Sequence, residues 1–512
     1  MLLTLALLSL VLLLAYRFYY NTYTYWARMG VPHERPLPVI GNTKGIGTKY
    51  HLRDISKRIY DKFKGQAPIA GMFLFFKRTA VVTDLDLIKQ VLIKDFHYFQ
   101  DRGLFNNTRD DPLTGHLLTL EGDEWKSMRH KLTPVFTSGK MKKMSEVVIE
   151  VGHRLADAME KAVKVGEVDN GDVEIKDLCA RFTTDVIGTC AFGLECHSLA
   201  DPKAEFRRKG RMIFEEPRHS ALIQNFILTN SKLAKKLRMK ILRDDLTDFF
   251  LSAVKNTVDY RLKNGIKRND FMDQLIELRA EDQEAAKKGQ GIDLSHGLTL
   301  EQMAAQAFVF FLAGFETSSS TMAFCLYELA LQPEIQNQVR DEIERVLDGE
   351  PITYDALAEM TYLEQVLSET LRKHPIIPQL LRETNENYKV PNTEIIIEKG
   401  TSVLIPVHSI HYDPDLYPQP ELFDPSRFEA DKSSSRHPFA YLPFGDGPRN
   451  CIGSAFRQNA GQDWHCVLAS ALQVRCFRPN TDPLSFGHSQ PHLGGQAWNS
   501  SKSRTHIDSE FY

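Results

Sequence analysis

A chain of 512 residues, 42% hydrophobic and 25% charged, can bury one large core or several smaller ones. That composition excludes a disordered or collagen-like chain, and a mean hydropathy of −0.31 excludes a polytopic membrane protein. The 63 basic and 66 acidic residues leave a net charge of −3, no footprint for nucleic acid. Seven cysteines (Cys179, Cys190, Cys196, Cys325, Cys451, Cys466, Cys476) are too scattered for a disulfide framework. Their odd number, without a Cys-x-x-Cys pair, fits a reducing compartment and leaves room for one thiolate with a special task.

Residues 1–16 carry no charged side chain and are dominated by leucine. Arg17 follows, then Phe18, Tyr19, Tyr20, Tyr23, Tyr25 and Trp26, then Arg28. Without a basic n-region or a small-x-small cleavage site, this is not a secretory signal. Roughly 16 to 20 helical residues span about 24–30 Å, enough for a bilayer core. The sequence predicts an uncleaved anchor with an aromatic belt over residues 1–28, and Arg17 and Arg28 favour a cytosolic body. A buried terminal helix is the alternative. Pro32, Pro36 and Pro38 predict a stiff, extended hinge over residues 29–41.

The body shows no internal repeat. Short strands are predicted at Gly71–Phe76, Ala80–Thr83, Ile395–Ile397 and Ser402–Ile405, and helix dominates from about 140 to 375. A charged, Gly-containing stretch from Arg279 to Gly297 reads as a surface loop, and Asp413–Phe444 as an ordered meander. Nothing resembles a linker between domains. The fold class is therefore mainly α with a small β-sheet region, a single large domain behind the anchor.

Trp125 and Arg129, at i and i+4, share a helix face where indole N–H and guanidinium can bind a carboxylate; a packed Trp with a cationic neighbour is the plainer reading. Thr299-Leu300-Glu301-Gln302 is a capping box and Pro333 a stop, which predicts one helix roughly 50 Å long. In its middle lies Ala313-Gly314-Phe315-Glu316-Thr317, an acid and a hydroxyl beside a small residue, able to deliver protons; a helix kink with satisfied polar groups is the alternative. Glu369 and Arg372, at i and i+3, taken alone are an everyday surface pair. Phe444-Gly445-Asp446-Gly447-Pro448-Arg449-Asn450-Cys451-Ile452-Gly453 sets a cysteine among glycines, where free amides can stabilise a thiolate beside a flat ligand.

This last stretch, Phe-x-x-Gly-x-Arg-x-Cys-x-Gly, resembles the haem-binding loop of the cytochromes P-450, the haem-thiolate monooxygenases. The other motifs follow in the family's order, and the details look most like insect microsomal members that handle hormones, plant toxins and insecticides. The resemblance implies Cys451 as the axial thiolate, with Phe444 in its loop, and Trp125, Arg129, Arg382 and Arg449 on the haem propionates. It implies Thr317 and Glu316 in proton delivery, and a structural triad of Glu369, Arg372 and Arg427. It also implies haem, NADPH-derived electrons through a partner reductase (a cytochrome b5-type donor being a second candidate), an apolar substrate and the cytosolic face of the endoplasmic reticulum membrane. Lys126, Lys131, Lys140, Lys142 and Lys143 are candidates for the reductase face. Phe105, Leu113, Leu117, Leu118, Phe308, Phe311 and Phe315 are expected to line the substrate pocket, and Phe73–Phe76 to offer a second membrane contact.

The pattern fails after Gly453. The family continues with an apolar helix behind the cysteine loop, whereas Gln458-Asn459-Ala460-Gly461-Gln462-Asp463-Trp464-His465 is polar. Codons for these residues, slipped by one base, permit Lys/Arg, Met, Gln, Ala, Lys/Arg, Ile, Gly, Ile, which is that helix. The body is thus read as residues 42–456, and 457–512 as an atypical tail produced by a frameshift; a genuinely divergent tail is the alternative. A haem-poor, impaired protein or a haem-thiolate isomerase or dehydratase are the competing functions.

Overall fold

The computed structural model describes residues 2–46, 49–165, 174–268, 270–287 and 298–454. Its axis is the capping-box helix. Thr299 Oγ1 accepts from the Gln302 amide and Gln302 Oε1 accepts from the Thr299 amide, and the helix runs over Leu300–Leu331 before Pro333 opens the next one. Hydrophobic almost all round, it is the kind of helix that must be buried, and two apolar clusters pack on it.

In chain order the elements that place the site are α1 (Leu2–Tyr23), α2 (Gly122–Leu132), α3 (Ser138–Val165), α4 (Ile175–Ile187), α5 (Asp244–Asn264), α6 (Leu300–Leu331) and α7 (Thr361–Lys373). Helix α4 lies closest on α6. A Cβ on Gly314 would sit 2.8 Å from Ile187 Cδ1, so the mid-helix glycine, costly by about 1 kcal/mol in propensity, gives the room for that approach.

The sheet is small. β1 (Ile69–Leu74) and β2 (Lys77–Val82) form an antiparallel hairpin; β2 runs parallel to β6 (Ser402–Ile405), which pairs antiparallel with β3 (Leu380–Glu383). β4 (Tyr388–Lys389) and β5 (Ile396–Ile397) form a separate pair. The sequence signals located β1, β2, β5 and β6 to within a few residues. They missed β3 and β4, which are short and charged, so no apolar alternation marks them.

Three expectations need correction. The stretch from Arg279 is not a loop throughout, because a helix over Phe271–Lys287 carries it, and only residues 298 onward are described after that. The aromatic belt does not stay at an interface: Tyr23, Tyr25 and Trp26 are buried in the body, and Trp26 Nε1 donates to Met72 O at 3.1 Å. A Cβ on Gly71 would meet the Trp26 ring at 2.3 Å, so the glycine in β1 is the socket for that indole. Phe73 is likewise fully buried; Phe76 remains exposed and packs on Phe18 at 5.4 Å.

The hinge is stitched to the body rather than free. Gly71 N donates to Pro32 O at 2.8 Å, and Asn42 exchanges two hydrogen bonds with the Phe73 backbone. Helix α1 itself is long and apolar enough to cross a membrane, and its apolar stretch is exposed.

Candidate functional site

The cysteine loop turns on two glycines with left-handed backbone, Gly445 at φ +67° and Gly447 at φ +74°. A Cβ on Gly447 would overlap Leu92 O at 1.9 Å, so no other residue fits where the loop crosses that backbone. The turn closes with the Cys451 amide donating to Phe444 O at 2.9 Å. It leaves Cys451 exposed and outside any disulfide, while Ile452 packs in the same cluster as Phe308 and Phe311 of α6. Ala313, in the middle of that core helix, is also exposed. Both positions are exposed between partly buried neighbours, and an opening between the loop and α6 is inferred from that exposure.

Positive charge collects around it. Arg449, fully buried, stacks its guanidinium 4.3 Å over the Trp125 ring and donates to Leu120 O. Arg382 of β3 is equally buried and donates to Leu381 O at 2.8 Å. The Nε atoms of both are buried without a hydrogen-bond partner among the described residues. Arg102 donates to Leu118 O and to Arg449 O at 3.1 and 3.0 Å. Burial and mutual repulsion push these guanidinium pKa values down, to about 10 for Arg102 and about 9 for Arg382 and Arg449. The only carboxylate paired with the three is Asp101, 3.7 Å from Arg449, among the described residues. Such a cluster calls for anionic groups from outside the chain. Arg102 carried no motif in the sequence; it stands in a loop, far from every signature.

Arg129 stands against the cysteine loop. It donates from both Nη atoms to Asn450, at 2.9 Å to the backbone oxygen and 2.8 Å to Oδ1, and so fastens α2 to the residue before Cys451.

On α6, Thr317 and Glu316 face apart, as adjacent residues at 3.6 per turn must. The Thr317 hydroxyl donates to Ala313 O, on the exposed side. The Glu316 carboxylate takes Lys176 Nζ of α4 at 2.6 Å, and Ser319 and Ser320 also contact that ammonium at 3.1 and 2.6 Å. Phe308, Phe311 and Phe315 do not line the opening: they are buried on another face, in an aromatic cluster with Phe192, Phe206 and Phe250. Of the four front-segment residues expected there, Phe105, Leu113 and Leu117 are buried and only Leu118 is exposed.

Glu369, Arg372 and Arg427 meet. Arg372 forks onto both Glu369 oxygens at 2.7 and 2.9 Å with both side chains fully buried, and Arg427 Nε stands 3.5 Å from Glu369 Oε1. This is no surface pair. Arg372 also donates to His411 O and Pro420 O, and the Asp424 amide donates to Glu369, so α7 holds the meander.

A family model for cytochrome P450 matches residues 31–480. The chain belongs to the cytochrome P450 family. It is 71% identical over 459 residues to the Drosophila melanogaster protein named Probable cytochrome P450 6a14, covering 89% of this chain and 90% of that one. It is 49% identical over 460 residues to cytochrome P450 6A1 of Musca domestica, covering 89% and 87%. Identity to cytochrome P450 6a2 of Drosophila melanogaster is 44% over 493 residues, 95% and 96% of the two chains. As a P450 the protein is a monooxygenase; the family uses haem bound through a thiolate and electrons drawn from NADPH through a reductase.

Proposed function

We propose that this P450 oxidises apolar small molecules, with hormones, plant toxins and insecticides as the substrate classes, and that Cys451 Sγ is the iron ligand. The observation that carries this reading is the cluster of Arg102, Arg382 and Arg449 beside the exposed Cys451 thiol. A haem brings two propionates, and the orphaned Nε atoms of Arg382 and Arg449 fit that need. Arg102 and the Trp125 indole would complete the propionate grip, while Arg129 holds the loop. Bound haem supplies dioxygen activation, one oxygen atom entering the substrate and the other leaving as water. The chain's own share would be to orient the haem and to hold a proton at Thr317 Oγ1, with Glu316, the other candidate, ion-paired to Lys176 of α4.

Replacing Cys451 by Ser is the direct test, since a hydroxyl is not ionised near neutral pH and cannot match the thiolate's electron donation. The variant should lose the haem-thiolate spectrum of the reduced, carbon-monoxide-bound protein and its NADPH-dependent product. Retention of both would overturn the assignment.

The N-terminal helix supports a membrane-anchored enzyme, read here as one on the cytosolic side of the endoplasmic reticulum with a reductase, and a cytochrome b5-type donor, as partners. Of the proposed docking lysines, Lys126 pairs among the described residues only with its neighbour Asp123, whereas Lys131 and Lys142 reach Asp282 and Asp355 at 2.6 and 2.8 Å. The side chains of Lys140 and Lys143 lie outside the description. Lys126 is the best placed to meet an acidic partner.

A second reading, an impaired enzyme, is favoured by one feature. An apolar cleft between α3, α4 and α6, lined by Phe136, Val148, Phe182, Ile187, Phe310 and Gly314 among others, opens beside the turn Ile452–Ser454. Its apolar lining would suit an apolar segment, whereas residues 457–512, outside the described residues, begin with polar sequence. The frameshift reading supplies the missing apolar helix. Sequencing the transcript across codon 457 tests it: an unbroken frame encoding this tail in expressed protein would refute the shift.

A further inference from the structure

The apolar cleft between α3, α4 and α6 begins where the described residues end. The turn Ile452–Ser454 touches Thr133–Phe136, and Ile452 packs in one cluster with Phe136, Ile187 and Phe310, three of the cleft's walls. All three walls are only half-buried, so an apolar surface laid over them would remove area from water. Water itself finds few partners there: among the lining groups, Thr183 already donates its proton to Phe315 O at 3.0 Å. Beyond the cysteine loop the sequence holds one run that matches such a lining. After the largely polar residues 457–463, Trp464, Val467, Leu468, Ala471, Leu472 and Val474 fall at i, i+3, i+4, i+7, i+8 and i+10, an arc of about 160° on a helix. His465, Ser470 and Gln473 fall opposite, Asp463 suits the N-cap, and Pro479 sets the limit. From Arg478 to Tyr512 the tail is rich in Pro, Gly, Ser and Asn and repeats no such pattern. Residues 455–463, extended, reach about 30 Å, more than a cleft that starts beside Ser454 requires.

We propose that residues 464–474 fill this cleft from within the same chain, a substitute, set back by a polar spacer, for the apolar helix expected directly after the cysteine loop. Trp464, Leu468 and Leu472 supply the cover that Phe136, Ile187 and Phe310 lack. Gly314 and Ser318 of α6 also line the cleft and bracket Glu316 and Thr317, so the segment backs the helix that carries both site candidates. On this reading the tail supports α6 even though its sequence departs from the family. The inference goes beyond the oxidation chemistry and does not depend on it.

The test is a cross-link in the full chain. Cys190 lines the cleft and stands outside any disulfide. In a Cys466→Ser, Cys476→Ser background, one cysteine at a time is placed on the apolar face (Val467→Cys, Leu468→Cys, Leu472→Cys) or opposite it (Ser470→Cys, Gln473→Cys). With dioxygen and copper phenanthroline as oxidant, the two thiols give up two protons and two electrons to form a disulfide, located by mass spectrometry. The best apolar-face position should pair with Cys190 about tenfold faster than either opposite one, because docking sets which face meets the sulfur. Independently, Leu468→Asp with Leu472→Asp should lower the unfolding temperature as far as ending the chain at residue 456 does, and Ser470→Asp with Gln473→Glu should leave it unchanged. Equal pairing from both faces, or an unfolding temperature that Leu468→Asp with Leu472→Asp does not lower, overturns the proposal. Neither readout uses the haem, so a filled cleft in a chain without monooxygenase activity would sink only the substrate-oxidising reading.

Discussion

Glu316 and Thr317 adjoin in sequence but serve different neighbours. Only Thr317 lies on the side of Ala313, so Thr317→Ala should leave substrate affinity near normal and release excess peroxide per NADPH consumed, because its hydroxyl acts after oxygen binds. Unchanged coupling would reduce Thr317 to a residue that satisfies the Ala313 carbonyl. Lys176→Met strands the Glu316 carboxylate in a mostly buried setting. It should cost about 3–5 kcal/mol, the penalty of breaking a buried pair, read from denaturant unfolding. Thr317 and Cys451 stood out as candidates because local sequence marks them: a hydroxyl near a glycine in an apolar helix, a cysteine between glycines. Lys176 and Arg102 did not, since each earns its place through partners brought near by the fold; Lys176 and Glu316 are 140 residues apart.

Elements show the same limit. Periodicity and capping gave α6 nearly to its ends, because Thr299, Gln302 and Pro333 act locally. The aromatic run after Arg17 carried no sign of where membrane stops and body begins, since Tyr and Trp suit both. In the structure, burial in the body begins at Tyr23. Removing residues 1–21 should therefore free the body from membranes with its unfolding temperature little changed. Removing residues 1–28 also empties the Trp26 socket on Gly71 and should cost about 3–5 kcal/mol, as loss of a buried Trp does. Thermal unfolding of the two truncated chains checks this; equal stability would return Trp26 to the interface.

At the scale of the molecule, pH probes the joint between α7, the meander and the cysteine loop. His411 donates from Nδ1 to Arg372 O at 3.1 Å and accepts at Nε2 from the Leu442 amide at 3.0 Å, an arrangement only the neutral ring can keep. Burial, with Arg372 close by, depresses its pKa to about 3. The unfolded chain binds a proton near pH 6.5 where the native one does not, so stability is full above that pH and is lost as pH falls toward about 3. His116 adds the same sign down to about 4. The slope should approach roughly 1 kcal/mol per pH unit for each histidine, measured by denaturant titration; His411→Gln should flatten it.

The join at Trp26 has a mechanical side. Helix α1 ends in a turn at Thr24 and the chain then plunges straight into the core, with Phe18 resting on Phe76. There is no slack at this joint. At about 1.5 Å per residue the 22 residues of α1 reach roughly 33 Å, a stiff mast rather than a tether. In a membrane-anchored protein, tilt that a thinner or thicker bilayer imposes on such a helix would be passed to the body as rotation. With α1 in a bilayer, as proposed above, lipid composition would set the angle at which the whole enzyme leans over the headgroups.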